Sequence, residues 1–263
     1  MVITNKTLIN RMPLWNLNMM DKFTNSNKDT PGSNIRGAIK KNESLNLEFR
    51  LVKLHSVKTG ICAEDCLFCG QSKIAKGKDK LIKPFSPIEE IYSAIEKAKE
   101  NLADEILFVS SGTNLSDKDE LRTLGEGIYL SRKRGLEVGL DIGLMNYDSL
   151  SYLFDAGAQI YVNSVQTTKS FFPKMISTHS YKDKIKVLED AKEIGYSTRS
   201  GGIIGLGEGK EQRYQFALEL ENLICDTIGI SFFQPIRGTK MEDYPKMESK
   251  EALESLALIR SQT

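Results

Sequence analysis

The sequence predicts an α/β fold, a partial (βα)6 TIM-type barrel of parallel strands with an N-terminal extension. Three observations carry that reading. From residue 51 onward, six short apolar runs alternate with six amphipathic helical patterns, the rhythm of a parallel sheet covered by helices. Glycine closes three successive helical patterns, at Gly135, Gly157 and Gly195, and an apolar run follows each time, as in αβ loops. Polar clusters fall where strands end, at 62–69, 110–113, 163–168, 199–208 and 234–237. A doubly wound sheet also gathers groups at strand ends, but beside a switch point. Five contributing strand ends favour a barrel with one mouth.

Element by element, residues 1–47 read as an extension that caps the domain, and 48–263 as the core. Within the extension, Leu14, Trp15, Leu17, Met19 and Met20 form an apolar segment, 24–34 is a loop, and 35–47 carries a short helix. Strand 54–61 comes next and ends at Cys62. Ser86, Pro87 and Glu89 read as a capping box opening a helix whose inward face is Ile88, Ile91, Ile95 and Ala98. Strand 105–109, helix 117–134, strand 136–142, helix 147–156 and strand 159–165 follow. Helix 180–194, with Ile185, Leu188, Ala191 and Ile194 inward, leads to strand 197–204. Helix 211–223, strand 227–233 and helix 249–260 complete the pattern. The sixth strand then needs a cover for its edge, from the N-terminal segment or a partner chain.

Composition narrows the class. With 263 residues, 40% apolar content, 27% charged content and a net charge of +1, the chain carries no charge excess that would suit nucleic acid. It contains no apolar run near the roughly 18–20 residues of a membrane span. Residues 1–27 lack a basic segment followed by an apolar core, so no secretory signal is read there. The expected setting is the cytoplasm, where clustered thiols bind metal in preference to forming disulfides.

The chemistry concentrates in Cys62, Cys66 and Cys69, three of the four cysteines within eight residues. A closed zinc site takes four ligands, usually from paired motifs. An iron–sulfur cube is usually held by four thiolates, so three leave one iron open. The competing reading is a zinc site completed by His55 or Cys225. Phe68, inside the last gap, would shield a cluster edge or simply pack. Ser111, Gly112 and Thr113 form a small turn where backbone can approach a ligand closely, or a plain helix-start turn. Gly205 lies in a glycine-spaced stretch that lacks the Lys-Ser/Thr of a phosphate loop, and Glu208 ends that stretch.

Cys-x3-Cys-x2-Cys with an aromatic before the last cysteine, after the first strand of a (βα)n chain, resembles the radical S-adenosylmethionine enzymes. Two blocks, residues 56–72 (Ser-Val-Lys-Thr-Gly-Ile-Cys onward) and residues 200–208 (Ser-Gly-Gly-Ile-Ile-Gly-Leu-Gly-Glu), are similar to the biotin-synthase group, in compatible order and separation. The resemblance implies a 4Fe–4S cluster on Cys62, Cys66 and Cys69, with the open iron chelated by S-adenosyl-L-methionine. One electron would cleave the sulfonium to methionine and a 5′-deoxyadenosyl radical that abstracts hydrogen from a small-molecule substrate. It also implies cofactor contacts at Phe68, Ser111, Gly112, Thr113, Ser164, Gln166, His179, Gly205 and Glu208, and an external electron donor of flavodoxin or ferredoxin type.

The chain also departs from that group, which holds a second, sulfur-donating cluster on three cysteines and an arginine. Those cysteines would fall at Arg199, near 138–140 and near 109–110, where this chain has none, and the arginine would fall beyond Thr263. Ser164-Val-Gln-Thr167 stands for the group's Asn-Leu-Asp-Thr, and His179 for an arginine. Arg199 becomes the sharpest catalytic candidate: pointed into the barrel, its planar fork would bind a carboxylate bidentately. Its plainer role is pairing with a neighbouring acid. Asp141, Asn163, Gln166, Gln234 and Arg237 are further polar candidates, and Cys225 reads as a buried structural thiol. The expected function is a radical enzyme whose substrate is not dethiobiotin. Biotin synthase itself and a zinc-stabilised non-enzymatic binding protein are the alternatives, and a homodimer is left open.

Overall fold

The computed structural model describes the backbone of residues 2–4, residues 50–76 and residues 81–262. Two compact units divide the chain, 1–4 with 52–263 and 5–51. The second falls almost wholly outside the described residues, as do the expected apolar segment, loop and helix of the extension.

Seven strands form one sheet: β1 (Val2–Thr4), β2 (Val52–Lys58), β3 (Glu105–Ser110), β4 (Glu137–Asp141), β5 (Ile160–Val162), β6 (Ser197–Ile204) and β7 (Thr227–Phe232). Their order is β1-β7-β6-β5-β4-β3-β2. The pairings from β2 to β7 are all parallel, which gives the six parallel strands expected. β1 pairs antiparallel with β7, Val2 opposite Gly229, so the start of the chain covers the edge that the sixth parallel strand presents.

The helices are α1 (Ile88–Glu100), α2 (Lys118–Lys133), α3 (Tyr147–Asp155), the short α4 (Phe172–Met175), α5 (Tyr181–Ile194), α6 (Lys210–Glu221) and α7 (Ser249–Gln262). Their starts follow local chemistry. Asp117 accepts from the amides of Asp119 and Glu120, Asn146 from Ser149, and Ser180 with Asp183 forms a full capping box. α5 ends at Gly195 with φ 118°, a left-handed cap that a Cβ would disfavour. The box expected on Ser86 does not form. Pro87 is the N-cap, with no side-chain cap bond, because Lys83 Nζ donates to Ser86 Oγ at 2.9 Å.

Alternation sorts the strand residues between two faces. Val138, Leu140, Ile106 and Phe108 point to the helices and join Ile91, Ile95, Leu124 and Ile128 in one core. Each of these apolar side chains contributes about 1.5–3 kcal/mol when fully buried. Ile204, Ile228 and Ile230 do the same against Phe216 and Leu220 of α6. The opposite face lines the barrel lumen.

β5 is shorter than the 159–165 run expected. Past Val162 the chain still bonds to β6, through Asn163 N to Arg199 O and Ile203 N to Gln166 O. However, Gln166 takes a left-handed φ of 68° and Thr167 N turns back to Val165 O, which ends the regular ladder. This crowded turn explains Gly202, where a Cβ would sit 2.4 Å from Gln166 O, while close approach to β7 explains Gly201, where a Cβ would sit 1.8 Å from Gly229 O.

Candidate functional site

The cysteine triplet occupies the loop after β2, at the mouth. Cys62, Cys66 and Cys69 are free thiols of intermediate exposure. The loop is tied by its own backbone: Cys69 N donates to Cys66 O and Ser72 N to Cys69 O. Glu64 N donates to Cys62 Sγ at 3.4 Å. Cys66 packs, with Leu67 and Phe68, against Phe171, Phe172, Leu206 and Phe233. Burial first, and then the neighbouring thiols and Glu64, push the Cys66 thiol up to about 12. Three thiolates gathered in one loop need a positive centre to hold them together.

The two acids inside the triplet anchor it to the turn before α5. Asp65 accepts from the amides of Ser177 at 2.9 Å and Thr178 at 3.3 Å, and from both hydroxyls. Burial opposes ionisation, yet these donors hold its carboxyl at about 2. Glu64 is buried and accepts from the Thr113 and Thr178 hydroxyls and from His179 Nδ1 at 2.6 Å. Burial would raise its carboxyl, and those three donors outweigh it and lower it. Sequence reasoning missed both acids, because their partners lie 49 to 115 positions away. Their place inside the triplet was the only available signal.

The predicted contacts divide. His179 is nearly buried, with Nε2 left without a partner, and Asn163 Oδ1 and Glu208 Oε2 are likewise buried and unpartnered. Thr113 spends its hydroxyl on Glu64, and Ser111 donates to Ile61 O. Ser164 donates to Gly201 O and accepts from Gln166 N; both bonds are internal. Phe68 lies in the apolar collar around Cys66. Gly205 N donates to Glu208 Oε1, which also accepts from Arg213 Nε at 2.9 Å, so Glu208 carries a structural ion pair at the start of α6. Gln234 and Arg237 are exposed. Arg237 lines a cavity of about 930 Å³ with Gly70, Gln71, Lys76 and Lys240, beside the exit of the cysteine loop.

The expectation for Arg199 is revised. Its side chain does point into the lumen, but the fork is already taken. Nη1 and Nη2 donate at 2.8 and 2.7 Å to the two carboxylate oxygens of Glu105. Glu105 stands on β3, with two strands between it and β6, so the pair spans the lumen and forms its floor. The Glu105 side chain is fully buried. Gly139 abuts this floor: a Cβ there would sit 2.8 Å from Glu105 Oε1.

The candidate zinc ligands point elsewhere. His55 packs edge-on against Phe108, on the helix-facing side of β2, where burial lowers the basicity of its imidazole. Cys225 packs against the core under α6. Among the described residues no three His, Cys, Asp or Glu side chains converge as a single-ion site requires. A cube binds each thiolate on a different iron and so spreads its ligands. Three thiols at a barrel mouth, an apolar collar and buried polar atoms without partners fit such a cluster and a small polar cofactor beside it.

Residues 56–220 match the Radical SAM superfamily, and the chain belongs to that family. Its members use a 4Fe–4S cluster and S-adenosylmethionine, and Cys62, Cys66 and Cys69 fit their cysteine motif. Within the family the chain is biotin-synthase-like. It is 33% identical over 213 residues to the biotin synthase of Maridesulfovibrio salexigens, covering 81% of this chain and 65% of that protein. It is 34% identical over 220 residues to that of Thermotoga neapolitana, covering 82% of this chain and 77% of the relative. The chain thus spans about two thirds of the length of the first of these relatives. A crystal structure of methylornithine synthase superposes with a TM-score of 0.70 at 18% identity, over 81% of this chain and 63% of that one. The hydrogenase maturase HydG superposes with a TM-score of 0.62 at 18% identity, over 81% of this chain and 50% of that one. At those identities the likeness is one of fold.

Proposed function

We propose that this chain is the core of an enzyme that reductively cleaves S-adenosyl-L-methionine and abstracts hydrogen from a small molecule held in the lumen. The observation that carries the reading is the cysteine triplet in the loop after β2, whose Glu64 holds His179 at Nδ1 while His179 Nε2 stays buried without a partner. When bound, the cluster and S-adenosylmethionine supply a hydrogen-abstracting radical, and the protein positions and shields it. Cys62, Cys66 and Cys69 would hold the cluster. Glu64 and Asp65 brace the loop against the turn before α5. The collar of Phe68, Phe171, Phe172 and Phe233 keeps water from the reacting face. Asn163, Gln166 and His179 stand where a polar cofactor would meet them. An electron must come from outside, and Lys76, Arg237 and Lys240 beside the cysteine loop suit an acidic carrier of flavodoxin or ferredoxin type.

Biotin synthase remains the second reading, favoured by the curated relatives. A second cluster does not fit the lumen floor. The Arg199–Glu105 pair fills it, Gly139 has no room for a side chain, and the remaining cysteine, Cys225, packs elsewhere. Anaerobic reconstitution with iron and sulfide, then reduction with S-adenosylmethionine present, tests the proposal. The expected product is 5′-deoxyadenosine. A reduced cluster that yields none would overturn it.

A further inference from the structure

The cavity of about 930 Å³ beside the cysteine loop lies between the segment leaving Cys69 and the loop after β7, and takes no lining residue from β3 to β6. Its two walls are fixed to each other. Lys76 N donates to Gly238 O at 2.6 Å, and a Cβ on Gly70 would sit 3.2 Å from Ile236 Cγ2. The loop after β7 is also held by its own bonds, Gly238 N to Glu242 Oε2 and Thr239 Oγ1 to Ile236 O, each at 2.7 Å. The space is therefore formed before any occupant arrives. Three cations line it, Lys76 from one wall and Arg237 and Lys240 from the other. Among the described residues none of their side chains makes a hydrogen bond or an ion pair. The one acid of the lining, Glu242, spends an oxygen on Gly238 N. Gln71 gives its carbonyl oxygen to Gly60 N at 3.0 Å, which leaves its NH2 group as a neutral donor on the same cavity. Elsewhere a lysine beside an acid closes on it, as Lys192 does on Asp226 at 2.6 Å.

We propose that this cavity binds a small organic polyanion, a phosphate ester or a polycarboxylate, against the exit of the cysteine loop. Like charges held around one space repel one another, and an anion with several charges relieves that repulsion. The Arg237 fork suits either headgroup bidentately, and Gln71 adds a neutral donor. Ile74, Leu81 and Ile236 complete the lining and cover an organic body. The volume lies within the roughly 300–1,000 Å³ usual for small-molecule sites. A monoanion would leave the other cations uncompensated, so selection follows charge count. A protein carrier meets only the rim of such a cavity, whereas a small anion reaches its walls. The inference goes beyond the proposed function, because this occupant is not the hydrogen donor of the lumen.

Isothermal titration calorimetry of the anaerobically reconstituted protein tests it, with fructose 1,6-bisphosphate, tricarballylate and, as a monoanion, acetate. Saturable binding of at least one polyanion is expected, and which of the two binds names the headgroup. Acetate should give no saturable heat. Arg237→Gln and Lys240→Gln remove one charge each from exposed side chains. Each should weaken polyanion binding by at least about tenfold while melting like the parent. Lys133→Gln removes an equal charge from the outer face of α2 and should leave the affinity as it was. Absence of binding by both polyanions, or an affinity unchanged in Arg237→Gln and Lys240→Gln, would sink the proposal. Binding to the open iron would give that second result, since neither variant touches the cysteines. An equal loss in Lys133→Gln would reduce the effect to net charge and overturn the site as well. Binding is read without turnover, so a preparation that forms no 5′-deoxyadenosine refutes the proposed function and leaves this test intact.

Discussion

The two ends of the lumen are built on opposite principles. At the floor, Glu105 and Arg199 satisfy each other with a bidentate pair, and that end is complete without a ligand. At the mouth, three thiols stand unjoined, His179 Nε2, Asn163 Oδ1 and Glu208 Oε2 are buried without partners, and Gln166 is held at a positive φ. Unsatisfied polar atoms and sparsely populated backbone cost free energy, and at the mouth a bound ligand would offset that cost. The difference teaches which charged residues to assign to chemistry. On the proposed reading Arg199 belongs to the frame, while Cys62, Cys66 and Cys69, with His179 beside them, belong to the site.

The largest effect separating the ends is Cys69→Ala. It should abolish 5′-deoxyadenosine formation, measured by chromatography after reduction, and leave the fold intact because Cys69 is only partly buried. At the floor, replacing Glu105 or Arg199 singly by Ala should cost about 3–5 kcal/mol in urea denaturation, and replacing both by Met should be close to neutral. If Arg199→Ala left stability unchanged but stopped turnover, Arg199 would belong to the mouth after all.

A smaller effect lies in Asp65. Its folded value of about 2 is below the usual unfolded value of about 3.9. Its contribution is therefore complete above pH ~4 and lost as pH falls toward ~2. Asp65→Asn should flatten that part of the acid-unfolding profile, and an unchanged profile would contradict the role given to the Ser177–Thr178 donors. The smallest effect belongs to Arg237→Glu. Cleavage driven by flavodoxin should slow and lose its salt dependence, while cleavage driven by dithionite stays as it was.

Much of the frame was legible in the sequence because the signals are local. Asp117, Asn146 and Ser180 cap helices that begin within a residue or two of the expected starts, Gly195 closes α5, and 197–204 is a strand to the residue. Ser86 misled because a lysine three positions upstream claims its hydroxyl. The triplet was legible for the same reason, with its three thiols close in sequence. What surrounds it was not. Glu64 meets His179, and Arg199 meets Glu105, across 115 and 94 positions. Sequence periodicity gives the face of a strand, and cannot name the partner that waits there.

The contrast between a finished floor and an unfinished mouth is tested most directly by counting metal and sulfide in the anaerobically reconstituted protein. One cluster at the mouth requires about four irons and about four sulfides per chain, lost together in Cys69→Ala. About six irons per chain would put a second cluster in the lumen and contradict the closed floor. Stoichiometric zinc in a colourless protein would contradict the assignment of the mouth.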